Sequence, residues 1–361
     1  MNICFYISDY GYGHASRDIA IIRKILDEYK NIKIYIKTDG AFDFVKQSLL
    51  QSNVEVIRTK NDVGVVLKEN SVVVDRERTR RVLDDWQDSW KDYINEEKRF
   101  CEIHKINLIL SDIVPQVFIV ADELNIPGIA ISNFTWHYIF YNLFGDIPAI
   151  ERIKDAYQRA DLALILPFNE DMDLFREKKE VSLVSREITA DRYDMRKELD
   201  IQDNELLVYI GVGRSLDPSF THMMKKIDIP GLKLLIASNV ELPFDSVIRI
   251  PDTETETQNY INMCDLVVSK TGYSTISEAM RAEIPMFLFK RDGFKEDELI
   301  GDMIERSGIG RSISERSFLE GGWKHELHYV HNHKRNFDAI DGRYKKDGTL
   351  EIIDIIKEMV S

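Results

Sequence analysis

The sequence predicts an α/β protein with two parallel β-sheets, and three observations support this class. Short runs rich in β-branched and aromatic residues alternate with segments of helical periodicity along most of the 361 residues. The short runs are apolar throughout, as in strands that helices cover on both faces. The alternation stops at a polar, charge-rich stretch, residues 168–204, and then begins again. We therefore expect two Rossmann-like domains, residues 1–167 and 168–348, facing across a ligand cleft, with the helix at 349–361 packed back on the first.

The elements of the first half follow from local patterns. The expected strands are ICFYIS (3–8), IKIYIKT (32–38), VEVIRT (54–59), LILSD (108–112), GIAIS (128–132) and LALILP (162–167). An amphipathic helix after the first strand is predicted by apolar residues at helical spacing, namely Ile19, Ile22, Ile25, Leu26 and Tyr29. A long charged helix is expected over residues 78–104.

The second half repeats the alternation. Its expected strands are ELLVYIGVG (205–213), LKLLIAS (232–238), SVIRI (246–250), DLVVSK (265–270) and PMFLFK (285–290). The expected helices are residues 219–226, 255–264, 274–283 and 296–307, followed by LEIIDIIKEMV (350–360). Each half therefore has the alternation of strand and helix that builds one parallel sheet.

Composition and charge disfavour several classes of protein. A net charge of −14 argues against nucleic acid as a partner, because phosphate binding needs a concentrated basic surface. The three cysteines are far apart and form no metal-ligand pattern, which favours a reducing compartment over a structural zinc site. No apolar run approaches the ~20 residues that span a bilayer, and the N-terminus lacks the basic region of a signal peptide. We expect a cytoplasmic protein without a transmembrane segment, metal or resident cofactor.

The first candidate site is the turn GYGHASR, residues 11–17, between the first strand and the first helix. Gly11 and Gly13 would let the backbone approach a ligand, and the helix N-terminus that follows favours negative charge. Imidazole serves as a general base near neutral pH, so His14 is a candidate base for a hydroxyl group. The alternative is a glycine turn with a solvent-facing histidine. The turn lacks the third glycine of the dinucleotide fingerprint GxGxxG.

The second candidate site is VVSKTGYSTISEAMRAEIP, residues 267–285, where a strand ends and a helix begins. Backbone amides and hydroxyl groups there suit a diphosphate, and they belong to Thr271, Gly272, Ser274 and Thr275. Glu278 is placed to accept hydrogen bonds from a ribose diol. The alternative is a capping box, with Thr275 as the N-cap and Glu278 three residues later.

Two shorter stretches carry weaker signals. GVGRSL, residues 211–216, is a glycine loop after a strand. Gly213, Arg214 and Ser215 are candidates for phosphate contact there, and an ordinary βα turn is the alternative. Asp171 and Asp173 resemble a metal-binding DxD motif, but a solvated acidic turn in an interdomain linker is the favoured interpretation.

An aromatic cluster lies in NFTWHYIFYNLF, residues 133–144. Its members are Phe134, Trp136, Tyr138, Phe140, Tyr141 and Phe144. Buried core is the default interpretation of such a cluster. The alternative is that some of the rings line an acceptor pocket beside the cleft or form an apolar docking surface.

Seven blocks of the chain, taken in order, resemble one family. They are GYGHASR, SDIVP (111–115), SNFTWHYIF (132–140), RKEL (196–199), KTGYSTISEA (270–279), KRDGFKEDEL (290–299) and GGWK (321–324). They resemble the nucleotide-sugar glycosyltransferases of the GT-B fold, which include the N-acetylglucosaminyltransferase that completes lipid II. They are more similar to the glycosyltransferase-like N-terminal region of plant arabinokinases and their bacterial relatives, from about residue 3 to the 320s. The sugar-kinase part of arabinokinases is not matched, so kinase activity is not implied.

The resemblance implies a donor site in the second domain. Glu278 matches the ribose-binding glutamate, and the loop at 271–275 matches the diphosphate loop. Arg186 resembles an arginine near the base and phosphates of the donor. Glu296 and Asp297 stand where many members carry Asp-Gln or Gln-Gln, and we expect them to bind hydroxyl groups of the donor sugar.

For the first domain, the resemblance implies that His14 is the base and that Asp112, at a strand end facing the cleft, assists it. Gly13 is expected to contact the donor, and Asn133 and Trp136 the acceptor. The expected function is metal-independent transfer of a sugar from a nucleoside-diphosphate donor, with UDP as the expected nucleotide. The acceptor hydroxyl would belong to a glycan, a lipid-linked molecule or a small molecule. A nucleotide-sugar hydrolase and a non-catalytic sugar-nucleotide sensor are the alternatives.

Overall fold

The computed structural model of the protein describes residues 1–212, 224–225, 229–237, 247–330 and 336–360. Its internal contacts divide the chain into two compact units. The first unit consists of Met1–Val66, Asp75–Val184 and Lys346–Ser361, and the second of Leu67–Val74 and Ser185–Lys345. Gly213, Arg214 and Ser215 lie outside the described residues, as does most of the helix expected at 219–226.

A parallel sheet forms the centre of the first unit. Its described strands are β1 (Asn2–Ile7), β2 (Lys33–Lys37), β3 (Val54–Ile57), β4 (Leu108–Asp112), β5 (Gly128–Ser132), β6 (Leu162–Ile165) and β7 (Lys178–Glu180), in the order β3-β2-β1-β4-β5-β6-β7. Its helices are α1 (Tyr12–Glu28), α2 (Phe42–Ser48), α3 (Arg76–His104), α4 (Val117–Leu124), α5 (Trp136–Phe144), α6 (Pro148–Tyr157) and the C-terminal α12 (Gly348–Val360). Strands β4 and β5 are buried along their whole length, as their apolar sequences predict.

The second unit contains another parallel sheet. Its described strands are β8 (Leu206–Gly211), β9 (Leu232–Ala237), β10 (Val247–Ile250), β11 (Leu266–Lys270), β12 (Met286–Phe289) and β13 (Gly310–Ile313), in the order β10-β9-β8-β11-β12-β13. Its described α-helices are α7 (Arg192–Glu198), α8 (Thr257–Asn262), α9 (Tyr273–Arg281), α10 (Lys295–Ser307) and α11 (Glu315–Glu320). The predicted α/β class with two parallel sheets is confirmed. None of the helices in the described ranges has the length and apolarity needed to cross a bilayer.

The boundary between the units differs from the expected boundary at residue 168. Residues 168–184 belong to the first unit, because β7 pairs with β6 and extends the first sheet. In the same stretch, Phe175 packs edge-on against Tyr157 of α6, with ring centroids 5.6 Å apart. Helix α12 also belongs to the first unit, where it contacts α1.

A hairpin from the N-terminal half, Leu67–Val74, belongs to the second unit. The sequence had predicted that it would belong to the first domain, because it lies within residues 1–167. Val74 N donates to Asp292 O at 3.1 Å, and Asp292 N donates to Val72 O at 3.1 Å. Val72 is buried in the core of the second unit, in a cluster that includes Phe287, Phe289, Phe318 and Trp323. The hairpin therefore supplies part of the core beneath the second sheet.

Both sheets share a strand order that positions the candidate sites. The order of connection reverses between β1 and β4 in the first sheet and between β8 and β11 in the second. Ile7 pairs with Asp112, and Gly211 pairs with Ser269, so the carboxyl ends of these strands lie side by side. Open α/β sheets bind their ligands at such switch points.

Candidate functional site

The two predicted catalytic residues meet at the switch point of the first sheet. Helix α1 begins after Gly11, whose φ of +89° lies in the region that favours glycine, and both Gly13 and His14 lie in its first turn. Asp112 is the last residue of β4. His14 Nδ1 lies 2.8 Å from Asp112 Oδ1, and His14 is only 6% exposed. The alternative interpretation, a solvent-facing histidine, is therefore wrong.

Arg17, one turn after His14, joins this pair, although the sequence analysis gave it no role. Its Nε donates to Asp112 Oδ2 at 2.5 Å, and its Nη2 donates to Asp112 Oδ1 at 2.5 Å. Its Nη1 donates to Asn133 Oδ1 at 2.7 Å. Burial raises the pKa of Asp112, but the Arg17 guanidinium and the His14 ring outweigh it and lower this pKa to about 2. Asp112 is therefore a carboxylate at neutral pH.

The contact between His14 and Asp112 determines what the ring can do chemically. A carboxylate accepts hydrogen bonds and cannot donate them, so the contact favours a proton on His14 Nδ1. His14 Nε2 is then the basic nitrogen. Such a ring can take a proton from a hydroxyl group while the carboxylate stabilises the imidazolium that forms.

Both predicted acceptor-binding residues are buried in the first unit. Asn133 accepts the hydrogen bond from Arg17. Trp136 Nε1 donates to Asp62 Oδ2 at 2.7 Å, and its ring stacks on Phe140 with centroids 5.3 Å apart. Asn133 and Trp136 are both 0% exposed, so neither offers a surface to an acceptor in this structure. Trp136 and Phe140 are therefore core residues, as the default interpretation of the aromatic cluster predicted.

Asp62 is an acidic group at the same sheet edge that the sequence analysis missed. Its Oδ1 accepts from Asp9 N at 2.8 Å, while its Oδ2 accepts from Trp136. Burial raises the pKa of Asp62 to about 6, and the nearby Asp9 carboxylate adds to this effect. The loop after β3 is thus tied to the loop after β1 by a carboxyl group whose charge changes near pH 6.

In the second unit, the predicted donor residues Arg186 and Glu278 form a buried ion pair. Arg186 Nε and Nη2 donate to Glu278 Oε1 at 3.0 and 2.8 Å, and the two side chains are 2% and 4% exposed. Arg186 Nη2 also donates to Thr257 Oγ1 at 2.7 Å, and Nη1 donates to Thr255 O. Two residues that lie 92 positions apart in the sequence are thus brought together at the carboxyl edge of the second sheet.

The capping-box alternative for this segment is wrong. Helix α9 begins at Tyr273 with Gly272 as its N-cap, so Thr275 lies at the third helical position. Glu278 is bonded to Arg186 rather than to the start of its own helix. The Glu278 carboxylate is therefore paired with Arg186 and does not cap the helix.

The remaining residues of the predicted diphosphate loop surround the start of α9. Thr271 Oγ1 donates to Phe289 O at 3.1 Å and is buried, so this hydroxyl group serves the sheet. Ser274 is half-buried on the first helical turn. Gly272 has no side chain to cap the helix, and of the atoms in the described ranges a Cβ at this position would meet only Lys270 Nζ, 4.0 Å away. The backbone amides at the start of α9 therefore suit an anion.

Lys270, the last residue of β11, places a cation beside this helix start. Burial lowers the pKa of Lys270 to about 7, and the Arg291 guanidinium lowers it further, whereas Asp297 and Glu296 oppose the shift. This lysine was not among the predicted donor residues. Its place in SKTGYS, directly before the diphosphate loop, was the available signal.

The predicted sugar-binding acids Glu296 and Asp297 lie around Arg291. Arg291 Nη2 donates to Asp297 Oδ1 at 2.5 Å, and Arg291 N and Nε donate to Asp297 Oδ2 at 2.7 and 3.0 Å. Glu296 Oε2 lies 3.5 Å from Arg291 Nη2. Asp297 is 0% exposed, so its carboxylate holds Arg291 and offers no surface to a sugar in this structure.

The DxD residues lie between β6 and β7 of the first unit. Asp173 Oδ1 forms an exposed ion pair with Lys178 Nζ at 2.7 Å, and the same lysine donates to Asp171 O at 3.1 Å. Within the described ranges, no group of three or more His, Cys, Asp and Glu side chains is arranged to hold a metal ion.

No family model matches the chain. Its relatives of known sequence include an arabinokinase and two glycosyltransferases. An L-arabinokinase of Arabidopsis thaliana is 26% identical over 330 residues, which are 88% of this chain and 31% of the arabinokinase. The chain thus spans about a third of that relative's length. An uncharacterized glycosyltransferase of Methanosarcina acetivorans is 20% identical over 334 residues, 87% of this chain and 86% of that protein. The expected resemblance to arabinokinases is confirmed.

Solved glycosyltransferase structures match the chain over its whole length. Phytolacca americana UGT2, complexed with UDP-2-fluoro-glucose and pterostilbene, has a TM-score of 0.68 at 10% identity, over 99% of each chain. A spinosyn rhamnosyltransferase complexed with thymidine diphosphate has a TM-score of 0.66 at 12% identity, over 98% of this chain and all of that one. The two parallel sheets and these likenesses agree: the protein has the GT-B fold of glycosyltransferases.

Proposed function

We propose that this protein is a metal-independent glycosyltransferase that moves a sugar from a UDP-linked donor to the hydroxyl group of an acceptor. The observation that carries the proposal is the pair of His14 and Asp112, 2.8 Å apart at the switch point of the first sheet. The name of the Methanosarcina relative and the fold shared with glycosyltransferases support the same reaction.

The proposed reaction is a substitution at the anomeric carbon of the donor sugar. The acceptor oxygen forms a bond to that carbon while the bond from the carbon to the diphosphate oxygen breaks. The electron pair of the broken bond leaves with the diphosphate. His14 Nε2 takes the acceptor's proton, and Asp112 stabilises the imidazolium through Nδ1–H.

The proposed donor site is the carboxyl edge of the second sheet. Backbone amides at the start of α9 and the ammonium group of Lys270 would stabilise the leaving diphosphate. Arg186 is committed to Glu278, so Lys270 is the better candidate for phosphate contact. A carboxylate has about four lone-pair sites, so Glu278 can accept a ribose hydroxyl as well as the bonds from Arg186.

UDP is the proposed nucleotide, and ligand-dependent thermal unfolding tests it. Uridine, thymidine, adenosine and guanosine diphosphates are compared, each with and without EDTA. UDP at 100 times its Kd should stabilise the protein by ~2.7 kcal/mol whether or not EDTA is present. A larger stabilisation by thymidine diphosphate would show that the donor carries thymidine rather than uridine. Loss of the stabilisation in EDTA would contradict metal independence.

Product analysis with the sugar form of the nucleotide that binds then tests transfer. We expect the sugar to appear on a hydroxyl-bearing acceptor and the free nucleoside diphosphate to appear in equal amount. Release of free sugar in the absence of acceptor would identify a hydrolase. Tight binding without turnover across a panel of glycan, lipid-linked and small-molecule acceptors would identify a sensor. Either of these two results would overturn the proposal.

A further inference from the structure

Arg17 makes more hydrogen bonds than a structural ion pair requires. The role of this residue in the reaction rests on the proposed function. The residue is 2% exposed, on helix α1. All three nitrogens of its guanidinium donate hydrogen bonds, at 2.5, 2.5 and 2.7 Å. Two of these bonds reach the two oxygens of Asp112, and the third reaches Asn133 Oδ1. Planar bidentate pairing of this kind fixes the orientation of a carboxylate.

The orientation of Asp112 determines the proton position on His14. Two contacts compete for His14 Nδ1: a hydrogen bond from Arg17 Nη2, 3.1 Å away, needs an unprotonated Nδ1, whereas the closer contact with Asp112 Oδ1, at 2.8 Å, needs a protonated Nδ1. Without a proton on Nδ1, two acceptor atoms would face each other at 2.8 Å in a buried site. With the proton on Nδ1, that contact is a hydrogen bond, and Nδ1 and Nη2 are two donors that share Oδ1.

Asp18, the residue after Arg17, provides an internal comparison. It is 0% exposed, and neither of its carboxyl oxygens has a hydrogen-bond partner among the described residues. Burial and the negative charge of Asp112 raise the pKa of Asp18, although Arg17 opposes them. One buried guanidinium thus lies near two buried carboxyl groups and bonds to only one of them. Asp112 is therefore the carboxyl group that Arg17 holds, and Asp18 is the one to which Arg17 does not bond.

We infer that Arg17, itself held by Asn133, is a positioning residue that orients the Asp112 carboxylate and thereby makes His14 present its unprotonated Nε2 to the acceptor. Arg17 acts through Asp112 rather than on the substrate. Asn133, which the sequence analysis expected to contact the acceptor, acts one contact further away by holding Arg17. The inference extends the proposed pair to a chain of four side chains, from Asn133 through Arg17 and Asp112 to His14.

The test is nitrogen NMR of the histidine rings in the whole protein labelled with ¹⁵N-histidine. The signals of His14 are assigned by their loss in His14→Gln. We expect a protonated Nδ1 and an unprotonated Nε2 for His14 in the wild type. Arg17→Gln and Arg17→Lys should shift the ring toward the other tautomer or toward a mixture. Turnover should fall on the order of 10- to 100-fold, the scale seen when the outer partners of metal-bound histidines are removed, with nucleotide affinity unchanged.

Asp18→Asn is the matched control, because it changes the adjacent, equally buried residue, which has no hydrogen bond to Arg17, and keeps the size of the side chain. It should leave both the tautomer and the turnover as in the wild type. Asn133→Ala is the second variant, for use if loss of the Arg17 side chain prevents folding, and it should give a smaller change in the same direction.

The outcomes separate this inference from the proposed function. A wild-type His14 with its proton on Nε2 overturns the inference, even in a protein that transfers sugar efficiently. Folded Arg17 variants that keep both the Nδ1 proton and full turnover also overturn it. A protein with no transferase activity but with the expected tautomer, lost in the Arg17 variants, would retain the inference about His14 while the proposed reaction fails.

Discussion

The two sheets have the same strand order but different chemistry at their switch points. In the first unit, the start of α1 and the end of β4 carry His14 Nδ1 and Asp112 Oδ1, 2.8 Å apart. In the second unit, the corresponding strand ends carry the Lys270 cation, the start of α9 and the carboxylate of Glu278. The difference teaches that strand order places a site, whereas the residues on the adjoining loops decide what the site does. If the proposed function is correct, changes in the first unit should alter turnover and changes in the second should alter nucleotide binding.

The largest expected effect is on turnover, at His14. His14→Ala should bind the nucleotide almost normally and lose about 10²–10⁴-fold in kcat, the usual contribution of a positioned base. Steady-state kinetics and calorimetric Kd values on the same preparation measure the two quantities. His325→Ala, at an exposed histidine of the second unit, is the control and should change neither. Near-normal turnover of His14→Ala would show that His14 is not the base that takes the acceptor's proton.

The next effect is expected at the ion pair of Arg186 and Glu278. Glu278→Ala leaves the Arg186 guanidinium buried without this carboxylate, so the second unit should lose about 3–5 kcal/mol of its free energy of unfolding. Nucleotide binding should weaken by roughly 1.5–3 kcal/mol where the protein remains folded. Glu298→Ala breaks the exposed pair with Lys295 and should cost about 0–1 kcal/mol. A Glu278 variant with wild-type stability and affinity would contradict both the structural and the binding role.

A third effect is expected on the pH dependence of the free energy of unfolding, through Asp62. The pKa of this residue is about 6 in the folded protein, against 3.8 for an ordinary aspartate. As the pH rises from 4 to 6, the unfolded chain loses this proton before the folded protein does, so the free energy of unfolding should fall. The fall should be at most about 3 kcal/mol, at 1.36 kcal/mol per pKa unit. Urea unfolding of the wild type and of Asp62→Asn at several pH values measures it, and parallel curves for the two proteins would contradict it.

The smallest expected effect is on the pH dependence of nucleotide affinity, through Lys270. The pKa of Lys270 is about 7, and a bound diphosphate favours the ammonium form. Affinity should therefore fall as the pH rises above 7, by about tenfold up to pH 8.5, with proton uptake on binding. Calorimetry in two buffers of different ionisation enthalpy detects the uptake. Lys270→Met should remove the pH dependence, and Lys295→Met, at a half-buried lysine, should keep it. An equal slope in both variants would exclude Lys270 from the phosphate site.

The fold was predictable because its strands are apolar runs and its helices are long periodic segments. The strands expected at 108–112 and 128–132 have those bounds as β4 and β5, and the helix expected at 78–104 is Arg76–His104. The unit boundary was less predictable. Strand β7 consists of Lys178, Lys179 and Glu180, all exposed, so neither its composition nor its periodicity indicates an edge strand.

The places of the site residues along the fold could be predicted from the sequence, but most of their hydrogen-bond partners could not. Asp112 stands at the end of a strand and His14 at the start of the helix that follows one, and both places can be located from sequence. The bond between Arg17 and Asp112 joins residues 95 positions apart, and no local pattern indicates such a pair. Trp136 was expected at an acceptor, yet its indole is buried and donates to Asp62. Aromatic composition does not distinguish a ligand surface from a core whose polar atoms are satisfied.

The hairpin Leu67–Val74 has a consequence for recombination between related genes. A crossover at the junction of residues 184 and 185 would exchange most of the second unit but leave its core residue Val72 behind with the first half. The new second half would then receive a hairpin that evolved against different neighbours. Hybrid enzymes made by joining halves of two homologues should therefore inherit a packing defect unless the hairpin is transplanted together with residues 185–345. In genetic terms, the two halves of this chain are not independently exchangeable modules.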